Sequence, residues 1–90
     1  MHKELEVGDY LLVISALQKD DPVDVENVIG FNARVIVTRL DRTPIHGAVL
    51  TEDSGEMSGG HGPFATVGDA IAHGEAWGRH FVARVLGGAV

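Results

Sequence analysis

Ninety residues with an apolar fraction of 44% and a charged fraction of 22% fit one small globular domain and exclude wholesale disorder. Thirteen acids against seven bases leave a formal net charge of −6, which argues against nucleic-acid binding, an activity that normally draws on excess cations. Cysteine is absent, which removes disulfides, thiolate metal sites and cysteine nucleophiles.

Residues 1–8 read as a polar, frayed segment in which Leu5 and Val7 offer a short edge piece. Met1–Glu6 has no apolar core of the secretory kind, and no apolar run approaches the roughly 20 residues that cross a bilayer, so the expected location is cytoplasmic, with no membrane partner. A first strand is expected over about 9–18. There Tyr10–Leu17 is apolar at both parities, which suits a strand covered on both faces or one whose second face meets a partner. The same run also suits a short helix, because Leu and Ala are good helix formers.

Lys19-Asp20-Asp21-Pro22 breaks that run. Asp20, Asp21, Asp24 and Glu26 read as an acidic solvated turn, without the alternating spacing and central glycine of a calcium loop. The clearest strand covers about 30–40, where Phe31, Ala33, Val35 and Val37 alternate with Asn32, Arg34, Ile36 and Thr38. After a turn at Asp41–Pro44, a third strand is expected over about 45–51, antiparallel to the second. A glycine-rich loop follows over residues 52–63.

The last element is a helix over about 67–86. Thr66 stands before it as a cap, Asp69 lies three residues on, and Gly87 and Gly88 stand where a left-handed C-terminal cap belongs. Val67, Ile71, Gly74, Gly78, Phe81 and Val85 fall along one stripe, widened by Ala70, Trp77 and Val82. Ala70, Gly74 and Gly78, four apart, are read as a small-residue track that lets the helix lie close on the sheet, with a hinge as the alternative. The fold class is thus α+β: an antiparallel three-stranded sheet, four-stranded if the N-terminal segment joins, with one long C-terminal helix on one face. Residues 1–90 form a single domain. One helix covers only one face, so Leu11, Val13 and Ile36 are expected to leave the other partly apolar, a sign of self-association or a partner.

Residues that could carry chemistry are few. Gly55–Gly62 has the glycines of a phosphate loop, but His61 and Gly62 stand where Lys and Ser or Thr are needed, and Glu56 would repel an anion. It is read as a flexible surface loop. Asp69 and His73 lie four apart on the helix, and His80 lies about 10 Å beyond His73. A metal site there would need His46 or His61 as well; His2 completes the set of histidines. Ser15, Ser54 and Ser58 lie in no nucleophile elbow. No catalytic residue, cofactor or metal ligand is assigned. The candidate interaction patch is His73, Trp77, His80 and Arg84 on the helix shoulder, since Trp and Arg are enriched in binding hot spots; core closure is the other role open to Trp77. Glu75 and Arg79 read as a surface pair.

Three strands followed by a helix that opens with Thr66-Val67-Gly68-Asp69-Ala70 resemble the HicB-like antitoxins, which carry a Thr-x-x-Glu/Asp-Ala signature at this junction. The resemblance spans about residues 9–86 and implies the sheet-and-helix fold. The sequence lacks that family's Asp-Leu-Pro-Gly turn and its DNA-binding segment, so the resemblance speaks for the fold more than for antitoxin activity. The expected function is a non-enzymatic protein-interaction module of bacterial type, antitoxin-like or immunity-like, with a basic protein or a second copy as partner. The competing reading is a small histidine-based metal-binding protein or enzyme that uses the helix face, with Asp69, His73 and His80, and the glycine-rich loop, with His61.

Overall fold

A computed structural model describes residues 1–21, 23–24, 28–45, 47–60 and 62–86. Four strands are followed by one helix: β1 His2–Val7, β2 Tyr10–Asp20, β3 Val28–Arg39, β4 Thr51–Asp53 and α1 Val67–Arg84. The strands form one antiparallel sheet in the order β1-β2-β3-β4, and α1 packs across one face. The fold is the expected α+β arrangement in its four-stranded form.

The N-terminal segment corrects the expectation of a frayed end. All six residues of β1 pair with β2, from His2 opposite Ser15 to Val7 opposite Tyr10. Leu5 and Val7 turn toward the helix side and join the core, and the charges of Lys3, Glu4 and Glu6 suit a strand at the sheet edge. Gly8 supplies the positive φ, 58°, that the two-residue turn into β2 requires.

The long hairpin of β2 and β3 forms the centre of the sheet, with Leu12 opposite Val37 and Ile14 opposite Val35. These four side chains, with Val82 of α1, are fully buried. Alternation sends Leu11, Val13, Ser15 and Leu17 to the opposite face, where they are half-buried.

The helix begins as expected: the Thr66 hydroxyl accepts from the Asp69 N–H at 3.0 Å. It ends at Arg84, two residues before the expected boundary, and the proposed cap at Gly87 and Gly88 lies outside the described residues. Its buried line is Ala70, Gly74, Gly78 and Val82, one residue per turn, while Val85 of the expected stripe is 61% exposed. The small-residue track holds the helix close to the sheet. A Cβ on Gly74 would stand 2.5 Å from Ile14 Cγ2, and one on Gly78 would stand 2.6 Å from Leu12 Cδ1.

The expected strand over 45–51 is displaced. Ile45 is buried in the core without being in a strand, Val49 and Leu50 are exposed, and the strand that pairs with β3 is Thr51–Asp53. His46 of that expected strand lies outside the described residues, as do Pro22 and Glu26 of the acidic turn. The glycine-rich segment is also more ordered than a free loop. Beyond β4, the Ser54 N–H donates to Val35 O, Met57 exchanges two hydrogen bonds with Ala33, and Phe64 exchanges two with Phe31. Ser54, Met57 and Phe64 thus continue the sheet edge along β3. Gly30 permits this approach, since a Cβ there would meet Phe64 O at 2.5 Å.

Candidate functional site

Two surfaces compete: the outer shoulder of the helix and the uncovered face of the sheet. On the helix, His73, Trp77, His80 and Arg84 occupy successive turns, as their spacing requires. His73 is exposed and its ring lies 4.9 Å from that of Phe64 in the edge segment. Trp77 is half-buried, stacks on Phe81 at 5.1 Å and packs against the core. His80 and Arg84 are exposed. The rings of His73 and Trp77 therefore turn toward different neighbours, and Trp77 closes the core. Nearby, Glu75 accepts from Lys3 at 2.9 Å and from Arg79 at 3.4 Å; these bonds, chiefly that from Lys3, hold its carboxyl below the usual range.

Among the described residues no group of three or more histidine and acidic side chains is placed to hold a metal. His46 and His61, on which the competing reading depends, lie outside those residues. Among the described residues no helix is long and apolar enough to cross a membrane.

The uncovered sheet face is organised in rows set by strand register. One row runs Glu6, Leu11, Thr38, Thr51 across all four strands, and the next runs Glu4, Val13, Ile36, Asp53. Leu11, Val13 and Ile36 are half-buried, as is Leu17 two rows further along β2. This is the partly apolar face expected from Leu11, Val13 and Ile36. At one end it sinks into a groove of 420 Å³ lined by Leu11, Val13, Thr38, Leu40, Leu50 and Thr51, with Arg39 and Arg42 beside them.

The turn after β3 shapes that groove. Arg42 adopts φ 64°, the only non-glycine residue with positive φ among those described, and its N–H donates to Arg39 O. Asp41 anchors the turn by accepting from the hydroxyl and N–H of Thr43, and these bonds, the hydroxyl's first, pull its carboxyl below the usual range. The Arg39 guanidinium sits 5.3 Å over the Tyr10 ring, and its Nε is buried with no hydrogen-bond partner among the described residues.

The cations of the molecule divide into two groups. Lys3, Lys19, Arg34 and Arg79 stand in ion pairs with Glu75, Glu56, Asp53 and Glu75, whereas Arg39, Arg42 and Arg84 form none among the described residues. Of these, Arg42 borders the groove, whereas Arg39, opposite Tyr10, carries its guanidinium over that ring on the helix side. On the far border, Glu4 and Glu6 of β1 are exposed and likewise without an ion pair among the described residues. Between them, Arg34 grips Asp53 with two parallel hydrogen bonds, one from Nε at 3.0 Å and one from the terminal nitrogen. With a further bond from the Gly55 N–H, this grip lowers the Asp53 pKa to about 2.

The sequence had named Leu11, Val13 and Ile36 but missed Glu4, Glu6, Arg39, Arg42, Leu40 and Leu50. The available signal was weak: a pair of arginines around a turn in an acidic chain. No family model, curated protein or solved structure matches the chain, so the HicB-like resemblance remains an expectation.

Proposed function

We propose that this chain is a non-enzymatic protein-interaction module that binds through the uncovered face of its sheet. The observation that carries the reading is the half-buried apolar strip of Leu11, Val13, Leu17 and Ile36 on a sheet whose single helix lies on the other side. A two-layer domain normally turns its apolar sheet residues toward one covered face and leaves polar residues on the other. Apolar residues left on the open side are the signature of a surface that meets something else. The face itself carries both signs, with Glu4 and Glu6 on one border and Arg42 on the other, which suits a partner of both signs.

The test is site-specific photo-cross-linking in cells that make the protein, with a benzophenone side chain at position 13 or, as control, at position 76 on the exposed side of the helix. The reading expects a discrete protein adduct at 13 and none at 76. Absence of any adduct at 13, or the same adducts at both positions, would overturn it.

A further inference from the structure

We propose that the occupant of the uncovered face is a second copy of this chain, related by a two-fold axis parallel to the strands. Glu6 of each copy then meets Arg42 of the other. The inference rests on the interaction reading above and names its partner.

Symmetry and charge carry it. A two-fold interface must be self-complementary, because each copy presents the same patch to the other. The order β1-β2-β3-β4 places the acidic border on one side of the face and Arg42 on the opposite side. An axis that runs parallel to the strands between β2 and β3 exchanges β1 with β4 and β2 with β3. It also keeps each cross-sheet row in its place. Glu6 of one copy thereby arrives over Thr51 of the other, beside Arg42 and Leu50 in the groove. Val13 arrives over Ile36 and Leu11 over Thr38, so the apolar strips meet. The groove of 420 Å³ is the recess that receives the carboxylate border. Sheets packed in this way stand about 10 Å apart with strands about 30° from parallel, a rotation small enough to leave the rows opposed.

Two other symmetric arrangements are worse. An axis across the strands stacks β1 on β1 and brings Glu4 and Glu6 of the two copies together without cations. Pairing β1 edge to edge also sets these carboxylates beside their own copies. Like charges placed opposite one another disfavour both.

Sedimentation equilibrium on the full chain, with circular dichroism as a folding control, tests the proposal. The wild-type chain is expected to sediment at twice its 9.6 kDa mass at micromolar concentration. Glu6→Arg alone and Arg42→Glu alone should each weaken the dimer at least about tenfold, and the double variant should restore it. Within one chain, Glu6 and Thr51 lie three strand spacings apart, about 14 Å, so restoration reports a contact between copies. Either a monomeric wild type or a dimer indifferent to both single reversals overturns the proposal, and a small anion found in the groove by native mass spectrometry also overturns it. An adduct at position 13 with a different protein overturns the second copy while the interaction reading stands; no adduct removes both.

Discussion

Gly74 lies so close to Ile14 that a side-chain carbon on it would stand 2.5 Å from Ile14 Cγ2 and 3.2 Å from Val35 Cγ2. Ile14 is β-branched and fully buried, so its methyl cannot swing aside. Gly74→Ala is expected to gain up to about 1 kcal/mol in helix propensity and lose about 1–3 kcal/mol to overpacking. At Gly78 the nearest atom is the terminal Leu12 Cδ1 at 2.6 Å, which can rotate, so Gly78→Ala should cost less. Gly68 faces only Thr66 Oγ1 at 3.8 Å, and Gly68→Ala should stabilise by about 0.5 kcal/mol. Urea melts that rank the three otherwise would refute close packing as the reason for these glycines.

Ser54 forms the joint between β4 and the segment that continues the edge. Its hydroxyl accepts from the Val35 N–H at 2.9 Å and donates to Gly55 O at 2.7 Å. Val35 is fully buried, so Ser54→Ala leaves that N–H without a partner and should cost about 1–2 kcal/mol. Faster hydrogen exchange of the Val35 amide, with the helix amides unchanged, is the expected mark. Unchanged exchange at Val35 would count against this role.

Asp53 offers a test by acid. Its folded pKa of about 2 lies below the ordinary carboxylate value, so the pair with Arg34 stabilises the fold above the unfolded pKa, near 4. That contribution fades as pH falls from about 4 through about 2. Carboxyl NMR should find the Asp53 midpoint near the lower value, and Asp53→Asn should flatten the stability curve in this window. A midpoint near 4 would mean that the grip of Arg34 does not hold in solution.

Arg42 places a long cation on a backbone, φ 64°, that L side chains adopt at a cost. Arg42→Gly should therefore stabilise the isolated chain by about 0.5–1 kcal/mol, after allowance for the greater freedom of glycine when unfolded. The measurement is a denaturant melt at concentrations where the chain is monomeric. A loss of stability would show that the Arg42 side chain supports the fold itself.

The helix and the central hairpin were legible because their signals are local. Thr66 and Asp69 mark a helix start, and the spacing of Ala70, Gly74 and Gly78 marks a face, whatever packs against it. The alternation of Phe31–Thr38 likewise needs no partner to be read. β1 was hidden because edge strands carry charges, and Lys3, Glu4 and Glu6 mask Leu5 and Val7. β4 was misplaced because Ile45, Val49 and Leu50 resemble a strand more than Thr51-Glu52-Asp53 does. Its register is fixed by contacts with residues nineteen positions away, Arg34 with Asp53 and Val35 with Ser54. The groove was not legible at all, since it depends on one left-handed residue after β3.

The placement of α1 after all four strands has a consequence for synthesis. Leu12, Ile14, Val35 and Val37 leave the ribosome well before Gly74 and Gly78, the residues that cover them. Arg84 is added thirty-one residues after Asp53, so at about 5–20 residues per second the nascent sheet stays bare on both sides for about 2–6 s. In that interval the chain exposes its future core together with Leu11, Val13 and Ile36, and neighbouring chains on one messenger meet at high local concentration. The emerging helix closes the first face, and the second stays open.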